Sequence, residues 1–486
     1  MISIFKRSVG LFLVLAGLVH NRALAQFNLG ELQNPHYALS STRYMPTYLG
    51  DGFRTFEIQL GHPYIGFGNN VFTFNDMLQL SKTQELNANL INYAIDKLQQ
   101  KNMFYIGADA TLLNLGVNIL HKNKTPFLSL GFGIRQKTEF NLNYNSDLFS
   151  LVYKGNKQFA GKTIDLFPSF NFLSYTDYAL SAACNFPIAK IGKLVNLNIK
   201  PAIRVRYVSG FANLNMPANA VTMLTSADGR SIDFGFDYDI HASLPVDTTT
   251  INTLLRTALS SGPSSTIPAI NPKSITSQFF RGTGKGIGVD WGVRVDVSPV
   301  LSFNVGFTDM GMIQFKRNAT TVSNHSHYVF EGYEMKYFGD QQKNVSEQLD
   351  SIVKVLTPSV SSAPYTIPLG KKLLFATNFR IGKKERRETV FYKHNFNFCY
   401  VQGFSDYLSS VKAPYFAVGY MYSIANVLNL GINGGLGGLT FTNVGLQITC
   451  KFSKIKVGIN SNNILPLLSL NAGKGSDIGI LTAMSF

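Results

Sequence analysis

The stretch FRGTGKGIGVDWGVRVDVS, residues 280–298, crowds glycines around Lys285 and so has the outline of a phosphate-cradling loop. A Walker loop needs a glycine five residues ahead of its Gly-Lys pair, then Ser or Thr, then a helix whose N-terminal amides hold the phosphate. Phe279 and Gly286 stand at those two places. A dinucleotide fingerprint fails as well, because its third glycine would fall on Ile287, Val289 or Trp291. From Gly286 onward the chain alternates strictly. Ile287, Val289, Trp291, Val293, Val295 and Val297 share one face, and Gly288, Asp290, Gly292, Arg294 and Asp296 share the other. A period of two is that of a strand, here greasy on one side and small or polar on the other.

The same texture recurs along the chain. Leu128, Leu130, Phe132 and Ile134 alternate with Ser129, Gly131, Gly133 and Arg135. Val195 to Tyr207 alternates with Asn196, Asn198, Lys200, Ala202, Arg204 and Arg206. Leu301 to Phe307 and Val444 to Phe452 repeat the pattern. These runs match a tilted strand crossing a bilayer, roughly nine to eleven residues or more. Sandwich strands are usually nearer five or six and turn their polar face to water. Charged residues are scarce at 15% and aromatics plentiful at 13%. The fold expected is therefore all-β: a transmembrane antiparallel barrel with its apolar face on lipid and its polar, glycine-rich face on a lumen.

Lys6 and Arg7, the apolar run from Val9 to Val19, and Ala23-Leu24-Ala25 before Gln26 have the three parts of a secretory signal peptide. Residues 1–25 are expected to be removed and the protein exported to the outer membrane of a bacterial cell. The formal charge of +16 falls by three with that segment, favouring anionic lipid, polysaccharide or an anion-attracting lumen as well as a generally basic surface. Nothing points to nucleic acid. Cys184, Cys399 and Cys450 are few, odd in number and widely spaced, without a CxxC or a His/Cys cluster. They read as small apolar fillers rather than disulfides or metal ligands.

Candidate strands run over 104–119, 127–136, 162–172, 175–187, 194–208, 219–226, 231–242, 284–298, 300–315, 372–381, 389–401, 413–423, 426–433, 441–452, 454–461 and 476–486. That is sixteen, or fourteen if the hairpin through Asp228-Gly229 is an external flap; either is even, as a barrel with both ends in the periplasm requires. Ser298-Pro299 and Ser453-Lys454 read as periplasmic turns, and the insertions at 243–283 and 316–371 as outer loops. The stretch 137–161 falls on the periplasmic side, and a two-residue outer link is expected near Ser174. The barrel is placed at 103–486. Residues 26–102 carry a possible strand at 54–62 and near-helical spacing over 74–101, and form either a plug in the lumen or a periplasmic cap. A second helical stripe, 341–356, lies in the long outer insertion.

The signal peptide, LQNPHYALSSTRYMPTYLGDGFRTFEIQLGHPYIGF, SLVYKGNKQFAGKTIDL, GKGIGVDWGVRV, FNVGFTDMGMIQF and Phe486 together resemble a Bacteroidota outer-membrane barrel family of unknown function, itself similar to the FadL and PorV type. The resemblance implies about fourteen strands with N-terminal chain in or under the lumen. FadL relatives begin that region with Asn-Pro-Ala; here His36 follows Asn34-Pro35. Phe486, with Met484, Thr482 and Ile480 on its face, resembles the insertion signal read by the outer-membrane assembly machinery.

No catalytic constellation is present in sequence, GxSxG is missing, and no enzyme, cofactor or metal site is expected. His325 and His327 read as exposed loop residues. The candidate binding set is inward-facing: Lys200, Arg204 and Arg206 on one strand, Asp290, Arg294 and Asp296 on another. It forms either a basic ladder for anions or carboxylate-headed lipids, or charge pairs that stiffen the wall or grip a plug. The two strands are not expected to be neighbours, so pairs would cross the lumen or the plug. Two functions fit: a plugged barrel that binds or passes a small hydrophobic or amphipathic substrate, or a non-transporting partner barrel holding secreted or surface proteins. Outer-membrane lipid and lipopolysaccharide are the surroundings expected in either.

Overall fold

The computed structural model describes residues 31–32, 34–82, 88–120, 126–191, 195–245, 282–331, 355, 357–386 and 389–486. The expected signal peptide, the stripe at 341–356 and most of the insertion at 243–283 lie outside them. Fourteen strands form the wall: β1 (Phe56–Asn69), β2 (Asn102–Leu120), β3 (Pro126–Tyr144), β4 (Ser169–Cys184), β5 (Val195–Met216), β6 (Gly284–Ser298), β7 (Leu301–Phe315), β8 (Lys372–Arg386), β9 (Thr389–Gly403), β10 (Tyr415–Ile424), β11 (Leu428–Gly437), β12 (Phe441–Phe452), β13 (Ile455–Ser461) and β14 (Gly475–Ser485). Each pairs antiparallel with the next, and β14 returns to β1 through Glu57↔Ser485 and Gly68↔Gly475, so the sheet has no free edge. Closure is what lets strands cross lipid, since every backbone group finds a partner inside the wall.

The alternation sorts the two faces as expected. Along β6, Ile287 and Trp291 point outward and are 65% and 40% exposed, while Asp290 and Arg294 are buried in the lumen. The turns sort the two ends. Ser453, with φ 55°, makes the tight link between Phe452 and Ile455, and Ser298 and Leu301 flank another. The tight turns lie at the end expected to face the periplasm, and the opposite end, called the outer end, carries the long insertions. There the sheet extends beyond the wall as an outer sheet, built from Thr163–Asp165, Val221–Thr225, Ile232–Ser243, Ala319–Phe330 and Ser359–Ser361 and joined to β5 through Asn213↔Ser243.

Several expectations need correction. The hairpin through Asp228-Gly229 belongs to this outer sheet. The strands expected at 162–172 and 175–187 are largely one, β4, and the break near Ser174 is a register shift inside it. Residues 137–144 continue β3, which ends at the outer side, and Ser146–Lys154 is a helix of the outer loop rather than periplasmic. The wall begins at Phe56, not 103, because β1 closes the barrel; Gly61 and Pro63, where its register with β14 shifts, interrupt its alternation. The helical spacing at 74–101 becomes two helices, Phe74–Lys82 and Ala88–Lys97, at the outer mouth. The chain inside the lumen is shorter and lies earlier, within residues 31–54.

Candidate functional site

That segment, the hatch, has little regular structure of its own: two short 3₁₀ turns, Pro35–Tyr37 and Pro46–Tyr48, and one helical turn, Ala38–Ser41. Asn34 starts the first turn, its Oδ1 accepting His36 N at 3.0 Å, with Pro35 at the helical position where a missing N–H costs nothing. Its internal hydrogen bonds mostly close local turns, so the path of the hatch is set by the wall, which holds it on many sides. Asn34 Nδ2 donates to Thr449 at 2.9 Å, and Asn429 donates to Asn34 at 2.8 Å. Asn114 Nδ2 donates to Leu39 O, Thr47 to Asn304 at 2.9 Å, Asn378 to Tyr48, and Asn118 to Gly50 O at 3.0 Å. Lys456 Nζ donates to Gly52 O at 3.0 Å. Gly52, at φ 76°, has no room for a side chain: an added Cβ would lie 2.1 Å from Pro35 O.

Asp51 is the hatch's ionic anchor. Lys200 Nζ lies 2.8 Å from it, and Arg294 reaches its other oxygen while also holding Asp296 at 2.7 Å. Burial alone would raise this carboxyl; Arg294 and then Lys200 overcome that and hold it at about 2. A second tie is Arg43, which pairs with Glu31 inside the hatch and lies 3.5 Å from Asp109 of β2. Its guanidinium sits 4.8 Å from the Tyr44 ring centre and 5.6 Å from that of Tyr64.

On the outer side of the hatch the lumen is crossed by a buried layer of charge. Asp177 of β4 meets Arg135 at 2.8 Å, Arg204 at 3.2 Å and Arg206 at 3.5 Å. Arg206 also meets Asp290 at 2.9 Å and Asp309 at 3.1 Å. Lys137 pairs with Glu139 at 2.9 Å, and Lys372 reaches Asp309 at 3.4 Å. With Arg43 included, the cations Arg43, Arg135, Lys137, Arg204, Arg206 and Lys372 face an equal number of carboxylates: Glu31, Asp109, Glu139, Asp177, Asp290 and Asp309. The layer is neutral, so the basic ladder becomes a set of ion pairs. The expectation that β5 and β6 are apart is also corrected: they are neighbours, with Arg204 directly opposite Asp290.

A cavity of about 30 Å³ opens within this layer, lined by Tyr64, Tyr105, Asp109, Arg135, Lys137 and Lys372 among others. It has room for a water or two. Further out the lumen turns apolar, with Leu173, Tyr175, Val208, Ile313, Phe315 and Tyr365 packed together. The glycines of residues 282–292 now have their reason. A Cβ on Gly284 would lie 2.8 Å from Phe315, one on Gly288 3.0 Å from the Arg206 guanidinium, and one on Gly292 2.9 Å from Val305 O and 3.2 Å from Thr47 of the hatch. They make room for packing, not phosphate.

Of the candidate residues, Lys200, Arg294 and Asp296 meet at the hatch, and Arg204, Arg206 and Asp290 belong to the layer beyond it. Missed were Asp109, Arg135, Lys137, Glu139, Asp177, Asp309 and Lys372, and in the hatch Arg43 and Asp51. Arg135 was legible, since it sits on the same face as Gly131 and Gly133. Ile480, Met484 and Phe486 point outward, and Thr482 donates to Leu60 O. Phe486 packs near Phe56, with Lys454 Nζ 4.4 Å from its ring centre. His325 and His327 lie on the outer sheet, facing Asp237 at 2.8 Å and Asp233 at 2.5 Å. Among the described residues, no group of three or more His, Cys, Asp or Glu side chains is arranged to hold a metal.

Residues 53–462, which take in the wall from β1 through β13, match one family. The chain belongs to the family of unknown function DUF5723. The match begins at Phe53, near the end of the hatch. No curated protein matches the chain. Among solved structures, it is similar to the Pseudomonas putida toluene transporter TodX, at 9% identity and TM-score 0.37, covering 96% of each chain. A Pseudomonas aeruginosa FadL homologue gives 9% identity and TM-score 0.36, again over 96% of each. The translocator domain of the Neisseria meningitidis autotransporter NalP gives 7% and 0.29, over 89% of this chain and 88% of that one.

Proposed function

We propose that this DUF5723 barrel sits in the outer membrane and binds or passes a small hydrophobic or amphipathic solute, with residues 31–54 as a displaceable hatch. One observation carries the reading: the lumen is layered. An apolar layer around Phe315 and Tyr365 lies beneath the outer mouth, a neutral layer of charge around Arg206 comes next, and a hatch without strand pairing of its own closes the periplasmic side. An amphipathic molecule entering from outside would meet apolar surface first and paired charges next, which can exchange partners with a polar head. Binding and passage, without catalysis, need nothing more. Ile480, Thr482, Met484 and Phe486 serve as the face recognised during membrane insertion.

The test is to lock the hatch. Thr47 and Asn304 touch across the lumen, so T47C/N304C in a chain whose native cysteines are replaced should form a disulfide there. In proteoliposomes, uptake of an amphipathic fluorescent solute should stop on oxidation and return on reduction. Equal uptake in both states would sink the hatch reading. The outer sheet favours a second reading, a partner barrel holding surface proteins, because its strand Ala319–Phe330 pairs along its full length with Ile232–Ser243 and so presents a built platform outside the wall. Co-purification of a stoichiometric surface protein that is lost on deleting that sheet would support it.

A further inference from the structure

The wall is not of even height. β13 has only 7 residues against 12 in β12 and 11 in β14. Its pairing with β12 ends at Leu446↔Ser461 and with β14 at Asn460↔Gly479. Beyond those points the outer ends of β12 and β14 flank a notch. The chain from Asn462 to Lys474 fills it: Asn462 N donates to Asp477 at 2.7 Å, Ile464 N to Val444 O at 2.7 Å, and Asn433 Nδ2 to Asn462 at 3.3 Å. The polar side of this loop is thus spent on the wall. Its other side holds the turn Leu465–Leu468, where Leu467 and Leu468 are 82% and 66% exposed, with Leu470 beside them at 46%.

Leucines this exposed at the outer rim are flanked by wall residues that already face acyl chains, Phe441 and Ile478. Basic residues stand alongside. Phe74 N donates to Gly473 O and Asn75 N to Leu470 O, which seats the first outer helix on the loop. Lys474 Nζ donates to Asn70 O at 3.0 Å, and the Asn70 side chain donates to the backbone carbonyl of Lys101 at 2.9 Å, so one asparagine ties Lys474 to the chain at Lys101. Lys97 is near enough to repel Lys474, whose ammonium lies below its ordinary pKa through burial and that neighbouring charge. Asp76 pairs with Lys97 at 3.4 Å, and Lys474 stands beside that pair.

We infer that Leu467, Leu468 and Leu470, together with Lys101, Lys474 and Lys97, form a binding site for a phosphorylated, multiply acylated glycolipid of the outer leaflet, of the lipid A class. The leucines take acyl chains and the lysines take phosphate. The leucines stand on the outward side of the rim loop and the lysines beside it at the outer ends of the strands, an apolar surface next to cations as the boundary between acyl chains and anionic headgroups requires. This needs only the orientation set by the turns and loops, and is independent of solute passage.

The full mature chain in an uncharged detergent would be titrated with bisphosphorylated lipid A, with the same lipid dephosphorylated, and with phosphatidylglycerol, and binding read by native mass spectrometry. Lipid A should bind at least tenfold more tightly than the other two, and K101Q/K474Q and L467S/L468S should each lose about tenfold. Heat-modifiable migration on gels checks that the variants still form barrels. Phosphatidylglycerol binding as tightly as lipid A, or variants binding like the parent, would overturn the assignment. A photoactivatable residue at Leu468 in intact cells should capture lipid A; a lipid A-free adduct pattern would overturn it even if a variant failed to fold.

Discussion

Lys200 Nζ lies 2.8 Å from the carboxylate of Asp51, so a cation of β5 ends on the last turn of the hatch just before the chain enters the wall. Arg294 of β6 reaches the same carboxylate. One hatch residue thus answers two wall strands, and its replacement tests the anchor. D51N should free the hatch without unfolding the barrel. Breaking a buried pair costs about 3–5 kcal/mol, but Asp51 is 29% exposed and Arg294 keeps Asp296. A loss of about 1–2 kcal/mol is expected after that discount. The pH dependence has a definite sign. A carboxyl held at about 2 rather than its ordinary 3.8 contributes stability above the ordinary value and loses it as pH falls through about 2. Protease nicking of the hatch should rise over that window in the parent, and D51N should lack that part of the response.

Arg206 is fully buried and meets Asp177, Asp290 and Asp309. R206M should destabilise the barrel by about 3–5 kcal/mol, because it strands carboxylates away from water. R206M/D290N should recover part of the loss, since a stranded charge costs more than a missing pair. Equilibrium unfolding in lipid vesicles measures both. Equal destabilisation by the single and double variants would show that Arg206 matters through its volume alone.

How far the sequence discloses this arrangement depends on which interaction set each piece. Wall strands with lipid on one side must alternate, so β6 and β12 stand at the bounds their periodicity predicts, 284–298 and 441–452. β1 defied that reading because Gly61, His62 and Pro63 break its alternation, and only pairing to both β2 and β14 reveals it as wall. The hatch carries no periodicity, being shaped by contacts with strands hundreds of residues away, such as Asn34 with Thr449. Arg204 and Asp290 were each legible as inward-facing. Their partnership was not, because the intervening chain includes the outer hairpin and makes β5 and β6 look distant.

Gly116 of β2 tests whether the hatch can be displaced by shape alone. An added Cβ there would lie 2.7 Å from Phe53 and 3.0 Å from Leu39, both hatch side chains. G116V should therefore push against the hatch from the wall at a cost of about 1–3 kcal/mol, typical of overpacking. Heat-modifiable migration should persist, while cleavage within residues 31–54 by protease added from the periplasmic face of proteoliposomes should quicken several-fold. Unchanged cleavage would mean that the wall yields instead.

On the outer sheet, two histidines are set in opposite directions by their surroundings. The hydrogen bond that His325 donates to Asp237, with further support from Asp239, raises its pKa, whereas burial lowers that of His241. A raised histidine favours the folded sheet below its ordinary value near 6.5 and loses that contribution as pH rises through the raised one. A lowered histidine has the reverse sign, disfavouring the fold as pH falls below the ordinary value. Histidine NMR titration should place His325 above 6.5 and His241 below it, and H325N should raise the ratio of outer-sheet cleavage at pH 6 to that at pH 8 above the parent's, once protease activity is corrected, because His241 then acts unopposed. If His325 titrates at its ordinary value, the cross-strand pair with Asp237 does not form in solution.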